Sequence, residues 1–194
     1  MVKEEVLEIV EDSRKTRSIL KYFNSTFLTL IPKENGADEP GKFIQITLCN
    51  VIYKIITKVI ANRMKPLLPM SISLEQAGFV EGRQILDGIL LVHEMIHSLK
   101  SSESSGMLIK RDLSKAYDKM NWKFLAAILQ VFDFHSQWVY WVMNLVSLAF
   151  FSILVNGTPS HPFTLPRGIR QGDLLSPFLF IIIAEGMGRM LKAL

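Results

Sequence analysis

The spacing of apolar residues along this chain changes several times, and each change marks an element. From Val2 to Tyr22 charged residues dominate, with Val6, Ile9 and Val10 at helical spacing, which predicts a surface helix. Thr26-Phe-Leu-Thr-Leu-Ile31 alternates as a strand does and is closed by Pro32, while Lys33 to Lys42, with Gly36, Pro40 and Gly41, reads as a loop. Between Leu48 and Leu68 the residues Val51, Ile52, Ile55, Ile56, Val59 and Ile60 recur at three and four. Lys54, Lys58, Arg63 and Lys65 lie between them, so the pattern predicts an amphipathic helix with a basic face, ended by Pro66 and Pro69.

The second half repeats these signals. A loop at Gln76 to Gln84 precedes a helix from Ile85 to Leu99, and a loose serine-rich stretch leads to apolar Met107-Leu-Ile109, which fits a strand ending at Asp112 and turning into a helix. Asn121 is a cap for a helix through Trp122, Leu125, Ile128 and Leu129. An apolar helix from Trp138 follows, then a predicted hairpin of Phe151–Val155 with Phe163–Pro166 around Asn156-Gly157. The chain then enters the loop Arg167 to Pro177 and a final helix from Phe178 to Leu194.

Composition narrows the reading only in part. The 194 residues are 49% hydrophobic, enough for a real core in one domain. A net charge of +4 and a pI near 9.2 permit a nucleic-acid partner without requiring one. Cys49 is the single cysteine, which excludes an internal disulfide and a Cys-rich zinc site and points to a reducing, intracellular compartment, nuclear or cytoplasmic. The acidic start Met1-Val-Lys-Glu-Glu does not read as an export signal. The uncharged run Trp138–Val155 is 18 residues long, the lower bound for a bilayer span, but it stops at a hairpin turn and its second half favours strand. No membrane partner is expected.

Four stretches carry candidate chemistry. Asp112, on a strand end, suits a magnesium ion with Tyr117 placed over whatever it holds, although an aspartate after an apolar run also serves as a helix cap. Arg83, between Gly78 and Gly82 on one side and a helix on the other, has the fork for phosphate oxygens or sits in a plain loop. Lys54 and Lys58 on the basic helix, with Arg167 and Arg170 in the glycine-containing loop, are candidate contacts for a nucleic-acid backbone; a solvated surface is the alternative. His93-Glu-Met-Ile-His97 matches the His-Glu-x-x-His zinc pattern, with Glu94 as general base. No third ligand follows at the usual spacing, so the histidines are expected to be partly buried helix residues, and a zinc hydrolase is a minor alternative.

Taken together, several blocks resemble the reverse transcriptase domain of plant non-LTR (long interspersed element) retrotransposons. These are Thr29-Leu-Ile-Pro-Lys33, Leu48-Cys-Asn-Val-Ile-Tyr-Lys54, Gln76-Ala-Gly-Phe-Val-Glu-Gly-Arg-Gln84, Asp112-Leu-Ser-Lys-Ala-Tyr-Asp118, Val155-Asn-Gly157 and Gly168-Ile-Arg-Gln-Gly-Asp173, in family order and at family intervals. The resemblance covers Ser25 to Leu194, leaving 1–24 as a residual N-terminal helix before a single unit at 25–194.

It implies an α+β fold, the fingers and partial palm of a right-hand polymerase, with a palm sheet built from strands near Ile109, Ile153 and Leu165. The implied reaction is addition of deoxynucleotides to a DNA primer on an RNA template, with two Mg2+ ions clamping the attacking and leaving oxygens. By the same resemblance Asp112 is the first catalytic carboxylate and a metal ligand, and the Leu113 carbonyl joins it on the metal. Tyr117 packs under the sugar, Gln171 and Gly172 line the incoming nucleotide and template, and Arg83 lies near the triphosphate. No stable protein partner is implied.

The departures also carry expectations. The paired aspartates of the family are expected after the last helix and are not in the sequence, Ile44-Gln45 stands where Arg-Pro is usual, Leu174 replaces a proline and Arg111 an apolar residue. The expected product is a polymerase fragment with little or no activity by itself, or a nucleic-acid-binding remnant without catalysis.

Overall fold

The computed structural model describes residues 2–102, 106–109 and 113–193. Asp112, Lys110 and Arg111 lie outside them, and with them the strand end that the sequence suggests for the first carboxylate.

The first helix, α1 (Val2–Thr16), stops earlier than its charge pattern suggests, where Arg17 takes a positive φ of 56°. It is also more than a surface helix. Val10 joins the main core, Ser13 is buried, and the Trp141 Nε1–H donates to Ser13 Oγ at 3.1 Å.

Strand β1 (Ser25–Pro32) agrees with the alternation, but its main partner was not read from the sequence. β2 (Phe43–Cys49) pairs antiparallel with β1 from Thr26↔Cys49 to Pro32↔Phe43. Leu48 and Cys49 therefore end a strand rather than begin a helix. Asn50 caps α2 (Val51–Met64) by accepting the Ile52 N–H at 2.9 Å. The missed signal is the alternation in Phe43-Ile-Gln-Ile-Thr-Leu-Cys, which puts Thr47 and Cys49 on the buried face opposite Leu28 and Thr26.

The sheet order is β2-β1-β3-β4, with β3 (Phe150–Val155) parallel to β1 through Ser25↔Phe150 to Leu28↔Ile153. The hairpin turn falls where expected: Asn156 and Gly157 have φ of 49° and 80°, the mirror-image geometry that matches strand twist. Its second strand, however, is β4 (Thr158–Pro159), and the 163–166 segment contributes only a bridge between Phe151 and Phe163. Leu165 is not in the sheet, nor are Met107–Ile109, which are exposed coil. Of the three strands expected to build a palm sheet, the described residues contain the one at Ile153.

The core is helical. α2 contributes Tyr53, Ile56, Ile60 and Met64 at three- and four-residue steps, and α5 (Trp122–Val131), α6 (Ser136–Ser147) and α7 (Ser176–Lys192) close over them. α5 is capped by Asn121 as its sequence suggests, through the Lys123 and Phe124 N–H groups. Gly186 of α7 lies so close to Ile128 of α5 that a Cβ there would meet its Cδ1 at 2.5 Å, and the Ile128 side chain would have to move to admit one at this crossing. A short helix, α3 (Leu68–Ser71), follows α2. In contrast, α4 (Ile85–Ser101) buries no residue fully, although Ile85, Leu86, Ile89, Leu90, Val92 and Met95 run along it. Among the described residues no helix is long and apolar enough to cross a membrane.

Candidate functional site

Residues 114–119 form turns rather than the helix expected after Asp112, with Lys115 at a φ of 53° and helix beginning only at Trp122. These turns meet the glycine-containing loop directly. The Gly168 N–H donates to the Met120 carbonyl at 2.8 Å, the Ile169 N–H to the Tyr117 carbonyl at 2.9 Å, and the Trp122 Nε1–H to the Gly168 carbonyl at 2.7 Å. Gly168 is required here: its φ is 99°, and a Cβ would stand 3.1 Å from the Asp118 carbonyl oxygen.

On its other side the same loop is tied to β2. The Thr47 N–H donates to the Gln171 carbonyl at 3.0 Å, and the Thr47 hydroxyl donates to the same oxygen. Gly172, at a φ of 97°, lies with its missing Cβ 3.4 Å from the Thr47 carbonyl. Three segments far apart in sequence thus surround one cavity of about 290 Å3, lined by Gln45 and Thr47 of β2, Lys115 and Asp118 of the turn, and Arg167 and Gln171 of the loop. That volume is near the lower end of small-molecule sites.

The residues singled out from sequence divide into three groups. Gln171 and Gly172 stand beside β2 as just described, Arg167 is exposed at the cavity, and Tyr117 is half-buried, its ring stacked on Phe180 at 5.3 Å and 13°. Burial raises the Tyr117 phenol pKa above its usual value. Lys54 and Lys58 are exposed one turn apart on α2, and neither ion-pairs with a described residue. Leu113 lines a separate apolar cavity with Phe124 and Phe180.

Two arginines are placed differently from expectation. Arg83 is turned inward, donating from Nη1 to the Ser73 and Gln76 carbonyls and from Nη2 to those of Ile72 and Pro69, so those donors hold its own loop together. Arg170 is 5% exposed and donates to Asn24, which removes it from the solvent face where a backbone phosphate would lie. Carbonyls and ring faces replace a guanidinium's water, for Arg170 only in part because its Nε and Nη1 are buried without a hydrogen-bond partner among the described residues, and neither feature is visible in the local sequence. The histidines are also not as expected: His93 and His97 are exposed on α4.

Sequence reasoning missed Gln45, Thr47, Lys115 and Trp122 as parts of this site. The last two lay within or beside quoted motifs, whereas the β2 residues became visible only with the pairing of β1 and β2.

A mixed sheet beside a helical core, with a cavity between a turn, a loop with two left-handed glycines and a strand, defines a protein of mixed α and β content with a built site. Residues 31–194 match the family of the reverse transcriptase (RNA-dependent DNA polymerase), and the chain belongs to that family. Among its relatives, the transposon TX1 uncharacterized 149 kDa protein of Xenopus laevis is 28% identical over 158 residues, 81% of this chain and 12% of that protein. The retrovirus-related Pol polyprotein from the type-1 retrotransposable element R2 of Popillia japonica is 25% identical over 158 residues, 81% of this chain and 22% of that protein. The corresponding polyprotein from the type-2 element R2DM of Drosophila melanogaster is 26% identical over 164 residues, 84% and 15%. The chain therefore spans less than a quarter of the length of each.

Reverse transcriptases use a divalent metal. Among the described residues no three His, Cys, Asp or Glu side chains come together to hold one, so these residues by themselves do not fit a two-metal seat.

Proposed function

We propose that this chain is the fingers and partial palm of the reverse transcriptase of a non-LTR retrotransposon, of the plant type its motifs resemble, acting on an RNA template, a DNA primer and a deoxynucleoside triphosphate. The observation that carries this reading is the convergence of the 117–122 turn, the 168–172 loop and β2 on one cavity. In the proposal Gln171 and Gly172 line the nucleotide, Tyr117 supports its sugar, and Lys54, Lys58 and Arg167 meet the nucleic-acid backbone. Asp112, with the Leu113 carbonyl, supplies the first metal-binding position. The working unit is 25–194, and α1 is a helix docked on it.

A dication pair needs more negative charge than one carboxylate segment provides, and the sequence holds no Ala-Asp-Asp. The 194-residue chain is therefore expected to bind template and primer and to extend them weakly or not at all. Primer extension on poly(rA)/oligo(dT) with Mg2+ tests this. Clear extension that Asp112→Ala abolishes would show that the chain is active as it stands. Failure to bind the hybrid at low salt would remove the reading altogether.

A further inference from the structure

Gln171 and Gly172, the residues that the proposed function puts on the nucleotide, are flanked by two buried charges, Arg170 and Asp173, each 5% exposed. Burying a charge is unfavourable unless contacts replace its hydration, and an apolar residue in the same space is often as stable or more so. Such a residue needs a reason that packing alone does not give.

The contacts of Arg170 supply one. Its Nη2 donates to the main-chain carbonyl of Asn24 at 2.9 Å and to the side-chain oxygen of the same residue. Its Cζ lies 3.9 Å from the centroid of the Tyr53 ring of α2 and 5.7 Å from that of the Phe151 ring of β3. One guanidinium therefore fastens the loop to the residue before β1, to α2 and to β3. Asp173 turns Oδ2 to the Ser176 hydroxyl at the start of α7, at 3.1 Å. Gly168 and Gly172, both in the left-handed region, bracket this stretch, and the hydrogen bonds of Gly168 and Ile169 to the 117–122 segment and of Gln171 to Thr47 hold it on either side of Arg170. Arg170 is the anchor between them that reaches Asn24, Tyr53 and Phe151.

We propose that Arg170 is a positioning residue for nucleotide selection: its guanidinium, held between Asn24 and Tyr53, sets the pose of Gln171 and Gly172 and touches neither nucleic acid nor nucleotide itself. This rests on the reading of Gln171 and Gly172 as the nucleotide-facing pair. Its geometric half is independent of that reading, because the loop pose can be observed without any ligand.

Trp122 reports the pose, since its indole N–H donates to the Gly168 carbonyl, while the Trp141 indole, bonded to Ser13, reports the rest of the core. In 1H–15N spectra of the 194-residue chain, Arg170→Met is expected to shift or broaden the Trp122 indole peak and leave that of Trp141 in place. Asn24→Ala removes only the side-chain acceptor and should do the same to a smaller extent, which covers the case in which Arg170→Met does not fold. With poly(rA)/oligo(dT) present, dTTP affinity measured by tryptophan quenching should fall on the order of tenfold or more, the scale of a misplaced contact, while hybrid affinity changes less than about twofold. An unmoved Trp122 peak in both variants would overturn the proposal. So would a loss of hybrid affinity with a reduced salt slope, which is the signature of a phosphate contact. If the wild-type chain bound no dTTP, the nucleotide reading would fail while the Trp122 peaks still decided the positioning claim.

Discussion

Gly168 shows how narrowly single residues constrain this site. Its φ of 99° lies where side chains are strained, and a methyl group would stand 3.1 Å from the Asp118 carbonyl oxygen, so that backbone would have to give way slightly. Gly168→Ala is expected to destabilise the fold by about 1–3 kcal/mol through backbone strain, lowering Tm by about 2–4 °C per kcal/mol. Thermal melts decide it, and an unchanged Tm would mean that the loop is already free. Tyr53 adds a second residue-scale constraint. Burial pushes its phenol pKa well up, the charge of Asp173 adds to this, and Arg170 opposes both, so the ring stays neutral and serves as the apolar face on which the guanidinium rests.

Among the elements, α7 and the 71–76 segment are joined by one buried carboxylate. Glu185, 2% exposed, accepts from the Ser73 N–H at 3.1 Å, the Ser73 hydroxyl at 2.7 Å, Gln76 Nε2 at 2.8 Å and Arg189 Nε at 2.8 Å. Burial alone would raise its pKa, but the hydrogen bonds from Arg189 and Ser73 outweigh it and hold the carboxyl below its usual value. The stability this contributes is therefore complete above the unfolded value of about 4.3 and is lost as pH falls through the lower folded value. Glu185→Gln should cost roughly 2 kcal/mol at neutral pH and flatten the acid limb of a urea-midpoint series, and equal acid limbs in both proteins would contradict this. α4 presents the opposite case. With no residue fully buried it lacks the packing that sustains most helices of its length, so hydrogen exchange over 85–101 should be much faster than over α5 and α7. Protection equal to that of α7 would mean that its apolar face is covered in solution.

For the whole molecule, a modest positive charge matters only where it is displayed. Lys54 and Lys58 are exposed on one face of α2, so Lys54→Ala with Lys58→Ala should weaken binding of an RNA–DNA hybrid without regard to sequence and reduce the salt slope by about 1–2. A titration from low to physiological salt tests this, and an unchanged slope would place the backbone elsewhere. The sequence by itself determined the helices that carry the core, the Asn121 cap, the Asn156-Gly157 turn and the family blocks, because these are written in local periodicity and backbone preference. It misplaced the second strand of the hairpin and passed over β2, because strand partners are chosen by distant residues and a short alternating run is easily absorbed into a neighbouring helix pattern. Only the tertiary structure decided which charges remain outside. Lys54, Lys58 and Arg167 stay in water, whereas Arg83 finds four carbonyls and Arg170 finds Asn24 and the Tyr53 ring, partners that adjacent sequence gives no means to anticipate.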